Sequence, residues 1–424
     1  MATAAIEISS ERRSMAAAFL KTGGGSIASG LLSALAVKVV AVTMGAAGVA
    51  MLATLQQVMQ IGLTGATLNG QTAMVQGASA LAGARRRDFL TTSAWLVALS
   101  TMLTVLILFA AAGSRRWIAG AVALSAGFTF LGALLRARGE VGWLALIQVA
   151  AGAAYVLAAL ATRSLIVILT IPAASALGCA AVRVARSHEE IAGWFSGQLT
   201  CPAVRHFFKI SGAMLATSLL ATAVLLAVRV RITAGAGLEA TGHFDAAWNI
   251  SMNHVTVMLA AMQIYYLPAL ARARDASERA RQMRGVMEIA ILAAAAIVCG
   301  IGLARGWVIG LLYTRAFAPA AGLLGWTLIG DYLKVTSWVL AIPMLAAAEM
   351  RWFVATDTAV QVAFFAFARM LGGARGAAIG FAISYLLNFA LCSIYARRRQ
   401  GFRFGAKLGW MWMGGLAAVV GACR

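Results

Sequence analysis

Residues 321–347 read AGLLGWTLIGDYLKVTSWVLAIPMLAA. The run is long enough to cross a bilayer as a helix, which takes roughly 20 predominantly apolar residues. It nevertheless places Asp331 and Lys334 near its centre. Ionisable side chains at membrane depth are costly and mark functional sites by default. The i, i+3 spacing puts the two on one helix face, where they can pair. Ser337 and Trp338 continue that face. Two readings stay open: a self-neutralising structural pair, or part of a transport site.

The rest of the chain has the same character. It is 62% hydrophobic and 12% charged over 424 residues, with a mean hydropathy of +0.85. Soluble domains run near 45–50% apolar and about 25% charged, so lipid must cover this surface. The reading is an all-α polytopic membrane protein with about 12 spans. They are expected near 22–44, 50–80, 89–112, 117–135, 141–162, 164–182, 209–232, 243–271, 285–304, 321–347, 353–372 and 376–395. Arg12 and Arg13 precede the first span, which is too long for a signal-peptide core and is read as retained. The apolar tail from Leu408 to Cys423 fits either an interfacial helix or a further span.

Cations alternate between loops. One set holds Arg85–Arg87, Arg136, Arg138, Arg183, Arg205, the Arg272–Arg284 cluster and Arg397–Arg399. The other holds only scattered arginines such as Arg115, Arg163, Arg305 and Arg375. The first set outnumbers the second roughly three to one, which puts it in the cytoplasm by the positive-inside rule. Orientation therefore explains the net charge of +21 better than nucleic-acid binding does. The longest connection, Arg183 to Arg205, separates six spans from six. Expected divisions are an N-terminal lobe (1–190), a cytoplasmic linker (191–208), a C-terminal lobe (209–396) and a basic and apolar tail (397–424). Six spans per half give both halves one orientation, as in a parallel repeat about an axis along the membrane normal.

The halves are weakly alike. Lys21 and Lys209 open the first and seventh spans, which end at Gly45-Ala46-Ala47-Gly48 and Gly235-Ala236-Gly237. The following span is polar in each half: Gln56, Gln57, Gln60, Asn69, Gln71 and Gln76 in one, and Asp245, Asn249, Asn253, His254 and Gln263 in the other. Such sets face an interior rather than lipid, either lining a cavity or bonding helix to helix. Ser211, Ser218, Thr222 and Arg229 share one narrow stripe at 100° per residue. Lys38 lies inside the first span. Arg229, near a span end, can alternatively snorkel to headgroups. Asp245 and Asp357 can simply favour helix starts. Cys179, Cys201, Cys299, Cys392 and Cys423 form no CxxC pair, and the histidines lack ligand spacing. No Walker loop occurs, so neither a cofactor nor nucleotide hydrolysis by that route is expected.

Four segments resemble the Wzx-type lipid-linked oligosaccharide flippases of the MOP (multidrug/oligosaccharidyl-lipid/polysaccharide) exporter superfamily, those of O-antigen and enterobacterial common antigen. They are Lys38-Val39-Val40-Ala41 with Gly45 and Gly48; Arg229 with Gly237, Gly242 and Trp248; Tyr265-Tyr266-Leu267-Pro268-Ala269-Leu270; and Trp326 through Gly330-Asp331 and Lys334 to Trp338. The last is the most specific. The chain departs from the family after Asn69-Gly70, where Gln71-Thr72-Ala73-Met74 replaces the usual basic-aromatic pair. The resemblance implies two MATE-like six-helix lobes around a central cavity in a bacterial inner membrane. It implies no enzyme activity. The cargo would be an undecaprenyl-pyrophosphate-linked oligosaccharide, moved to the periplasmic leaflet by alternating access, with the polysaccharide polymerase and chain-length machinery as further partners. Candidate cargo contacts are Lys38, Asn69, Arg229, Asp245, Asp331 and Lys334. Intramembrane cations suit an anionic headgroup. A multidrug or cation exporter is the alternative, and would favour buried carboxylates without buried cations. An O-antigen polymerase or ligase would need a long periplasmic loop, and no outer loop here has the length.

Overall fold

The structure, a computed structural model, describes the backbone except at residues 1, 112, 188–191, 273, 274 and 348. Side chains are described except at these positions and at 2–27, 79, 114, 260, 261, 263–265, 267, 268, 271, 272 and 276. The N-terminal cations Arg12, Arg13 and Lys21, and Tyr265, Leu267 and Pro268, lie outside the described side chains.

The described residues form helices and no strands: α1 (Ala2–Thr67), α2 (Gln71–Ala80), α3 (Gly83–Ala111), α4 (Trp117–Ala137), α5 (Val141–Ala161), α6 (Leu165–Ala185), α7 (Cys201–Arg272), α8 (Ala276–Leu303), α9 (Arg305–Leu312), α10 (Ala320–Ala346), α11 (Met350–Leu371), α12 (Gly373–Arg399) and α13 (Ala406–Cys423). Eleven stretches among them are long and apolar enough to cross a membrane. The expected spans map onto ten of these, and the tail helix α13 is the eleventh. Two of the ten, Ala28–Ala78 and Cys201–Leu259, each hold two spans.

Those double helices correct the expected loops. The helix breaks at one residue, Gly45 (φ 66°) in α1 and Gly237 (φ 85°) in α7, and resumes immediately. Positive φ is open to glycine at no steric cost, so one residue does the work of a loop. In α7 the result is a hairpin. Thr233 and Thr241, four residues either side of Gly237, share a 2.8 Å hydroxyl contact. Arg229 and Asp245, eight either side, meet at 2.7 Å. Along a straight helix, residues sixteen apart would be about 24 Å from each other. A second correction concerns the span expected over 50–80. It is interrupted, because Leu68 (φ 52°) and Asn69 (φ 48°) turn left-handed and α2 starts afresh at Gln71.

The chain divides into two compact units, residues 1–43 with 55–219, and 44–54 with 220–424. In the first, α2, α3 and α4 enclose a core of Met74, Phe89, Leu90, Leu134 and Phe207. A second core under α5 and α6 gathers Leu135, Leu144, Ile147 and Ala180. At one end Glu140 takes Arg138 on one oxygen (2.8 Å) and Arg183 on the other (2.7 Å), tying the α4–α5 turn to α6.

In the second unit α10 is the central post. Its membrane-length stretch is 83% buried, against 6% for the more apolar α3 of the first unit. This inverts the soluble rule, because in lipid the apolar helices face outward and the polar one is hidden. Gly330 lets α10 approach α12 so closely that a Cβ there would lie 2.3 Å from the Phe381 ring. Such contact is how helices associate where no hydrophobic effect drives them together.

The tail helix α13 lies along α8 in the same direction. Lys407 meets Glu288 at 3.3 Å, and Cys423 packs against Gly302. Arg305, at the start of α9, donates to the carbonyls of Ala422 (3.4 Å) and Arg424 (2.9 Å). There a cation is favoured by the helix dipole. Trp412 fastens the middle: its carbonyl accepts from Tyr332 (2.8 Å) and its ring stacks on Phe389 at 4.3 Å.

Candidate functional site

The charged residues expected at membrane depth are in the second unit, apart from Lys38. There they sort into two buried sets.

The first set is built by the α7 hairpin. Arg229 donates from Nε to Oδ1 of Asp245 at 2.7 Å, with side-chain exposures of 5% and 0%. Asp245 thus does more than open a helix, and Arg229 does not reach for headgroups. The other oxygen of Asp245, Oδ2, is buried with no hydrogen-bond partner among the described residues. Close backbone packing holds the hairpin tip. A Cβ on Gly242 would fall 2.0 Å from the carbonyl oxygen of Ala46, a residue of the same unit.

The second set surrounds α10, and it corrects the expected Asp331–Lys334 pair. Asp331 is fully buried and turns to α7: Ser251 donates to Oδ1 at 2.8 Å, and His254 Nε2 lies 3.3 Å from Oδ2. The short aspartate side chain reaches a neighbouring helix, while the long lysine passes it by. Lys334 Nζ lies 3.6 Å from the Met252 sulfur, 5.2 Å from the Tyr385 ring centre and 5.9 Å from that of Phe381. Among the described residues it makes no ion pair within 4.0 Å. Cation–π contact of this kind is worth about 0.5–2 kcal/mol. The aromatic wall extends further: Phe381 meets Tyr385 (4.9 Å) and Trp248 (5.0 Å), and Trp248 stacks on Phe364. Ser337 looks away, accepting from Asn388 at 3.0 Å. Tyr266, from the third motif, donates to the Val339 carbonyl at 3.0 Å and pins α7 to α10.

The remaining candidates lie in the first unit. Asn69 caps the end of α1 in the left-handed region, where asparagine is the best tolerated side chain after glycine. Its amide donates to Ser218 Oγ at 3.1 Å. Lys38 is half-buried on α1. Ser211 spends its hydroxyl on the Phe207 carbonyl of its own helix (3.0 Å). Residues not foreseen as site members are Ser251, Phe381 and Tyr385. The signal was present as Ser251 and His254 three apart, and Phe381 and Tyr385 four apart, each spacing defining one helix face.

The fold is shared with solved transporters of the MOP superfamily, and eleven helical stretches among the described residues are long and apolar enough to cross a membrane. No family model matches the chain. Among curated relatives, the Lipid III flippases of Escherichia coli (strain K12) and Shigella flexneri are each 26% identical over 181 residues, 42% of this chain and 44% of theirs. The chain thus matches less than half the length of these relatives. Among solved structures, Lipid II flippase MurJ in its inward closed conformation superposes with a TM-score of 0.69 at 11% identity, covering 94% of this chain and 91% of that one. An inward-facing multidrug resistance MATE family transporter of the MOP superfamily gives 0.70 at 14% identity, covering 89% and 94%.

Proposed function

We propose that this protein is a flippase that carries an undecaprenyl-pyrophosphate-linked oligosaccharide, the repeat unit of O-antigen or a related surface polysaccharide, from the cytoplasmic to the periplasmic leaflet by alternating access. The observation that carries the reading is Lys334. It sits in the middle of the most buried long helix, facing aromatic rings and a thioether rather than a carboxylate. A cation kept at that depth without an ion-pair partner among the described residues is poised for an anion that arrives and leaves. A pyrophosphate supplies charge-assisted hydrogen bonds stronger than the aromatic contacts it displaces. The similarity to Lipid III flippases over part of the chain supports the same cargo class. Lys38 is the second cationic contact in this proposal, and Arg229 holds Asp245 until cargo competes for it.

The test is reconstitution in vesicles with a fluorescent undecaprenyl-pyrophosphate-linked oligosaccharide, scored by its appearance in the far leaflet. Lys334→Gln and Lys38→Gln should abolish transfer at normal protein levels, while Lys334→Arg keeps a part of it, because charge persists although geometry changes. Full transfer by both Gln variants would overturn the role of cargo charge. The buried carboxylates Asp245 and Asp331 favour a second reading, a multidrug or cation exporter. Uptake of an organic cation into the same vesicles, with no glycolipid transfer, would establish it instead.

A further inference from the structure

The first unit holds a cavity of about 430 Å³ that none of the motifs touches. Its size falls in the range of small-molecule sites, roughly 300–1,000 Å³. Gln56 and Gln60 of α1, Ser125 and Phe128 of α4, Tyr155 of α5 and Pro172 of α6 stand in its wall. None of the residues lining it is charged. In a chain of net charge +21, crossed by buried ion pairs, an uncharged cavity of mostly apolar lining with four polar side chains, set between membrane-length helices, is a selective feature. It offers an anion no cation and a cation no carboxylate.

What it does offer is hydrogen bonding beside apolar faces. Gln56 and Gln60 are four apart and share a helix face. Gln56 Nε2 donates to the Tyr155 hydroxyl at 3.2 Å, which fixes one amide and orients the phenol. Gln60 is exposed, and its side-chain amide makes no hydrogen bond within the described residues. Pro172 brings no N–H to the i−4 position, so the carbonyl of Ile168, a buried wall residue, is left without its usual helical donor. The Phe128 ring and neighbouring aliphatic side chains complete the wall. Free donors, free acceptors and an aromatic face with no charge match a neutral polyhydroxylated ring.

We propose that this cavity is a binding site for an uncharged sugar. That its natural occupant is a sugar of the lipid-linked cargo rests on the flippase reading above. The site itself rests on its lining.

The experiment uses the full chain in lipid nanodiscs and two photoreactive octyl glucosides, one carrying a diazirine on the sugar and one at the end of the tail. The sugar-tagged probe should label residues 56–63, 125–128, 155 or 168–176, as mapped by mass spectrometry. Gln60→Leu should lower that labelling about tenfold, the equivalent of one lost hydrogen bond. It should not disturb folding, since the Gln60 side chain makes no hydrogen bond among the described residues and its backbone carbonyl, which accepts from Thr64, is unchanged. Ser125→Ala, which removes a second polar group, should lower it too. If only the tail-tagged probe labels the cavity, or Gln60→Leu leaves sugar labelling unchanged or raises it, the site is an apolar-tail pocket and the proposal falls. Binding of sugar-free undecaprenyl pyrophosphate should be unaffected by Gln60→Leu, so loss of the sugar site and loss of the flippase reading are separable results.

Discussion

Replacing Asp245 with Asn leaves Arg229 charged and buried without its counter-ion. At the observed 2.7 Å the pair attracts with about 6 kcal/mol at an effective dielectric near 20. Desolvation of the two ions offsets much of this, so the pair is worth little compared with two well-packed apolar groups. Removing one partner is different, because the survivor keeps its desolvation cost and loses its attraction. The expected loss is about 3–5 kcal/mol for Asp245→Asn or Arg229→Gln. At roughly 2–4 °C per kcal/mol for a unit of this size, 4 kcal/mol lowers Tm by roughly 8–16 °C. The double variant Arg229→Met with Asp245→Leu should recover to within about 1 kcal/mol of the parent. Thermal unfolding in detergent, read by tryptophan fluorescence and checked by size exclusion, measures all four proteins. If Asp245→Asn melts with the parent, or the double variant is as unstable as the worse single one, the hairpin is not held by a desolvated pair and the reasoning is wrong.

Three further outcomes are expected. Asn69→Gly should cost only about 1 kcal/mol, the lost hydrogen bond to Ser218, while Asn69→Val should cost about 1–2 kcal/mol more, because a β-branched residue resists the left-handed region; the same melts report this. Gly242→Val should cost about 1–3 kcal/mol or more, since its side chain would collide with the Ala46 backbone; purified yield and Tm read it out. Alkaline phosphatase fused after Arg424 should be active and after Phe404 inactive, because α13 runs beside α8 and ends at Arg305, among the loops expected outside. Activity at neither position would place α13 on one surface.

Much of the fold was legible because lipid imposes a coarse code. A run such as 321–347 announces a span, and cation asymmetry orients it. The turns within double helices were legible as glycines but not as geometry: Gly45 and Gly237 stood at the expected span ends, yet nothing in the composition says that one residue suffices. Asn69-Gly70 is a familiar chain-breaking dipeptide, but that its amide reaches Ser218 on another helix is not visible in one span. The Asp331–Lys334 spacing correctly put both on one helix and misjudged their partners. Periodicity specifies a face, whereas the choice between a neighbour on the same helix and Ser251 or His254 on another depends on side-chain length and helix approach. The aromatic wall at Lys334 depends on Gly330 admitting Phe381, a contact between helices that no single span reveals.

The one-residue break at Gly237 has a consequence for how this chain can vary. A loop of several residues absorbs an insertion or deletion, because slack lets the flanking helices keep their facing. The α7 hairpin has no slack. Adding one residue between Arg229 and Asp245 would turn the second arm by about 100° and carry the carboxylate away from the guanidinium. It would also swing Ser251 and His254 off Asp331, since both lie on the arm that turns. The sixteen-residue interval from Arg229 to Asp245 therefore acts as a length standard. Substitutions along it are graded in effect, while changes of length by a single residue disconnect both charged sets at once.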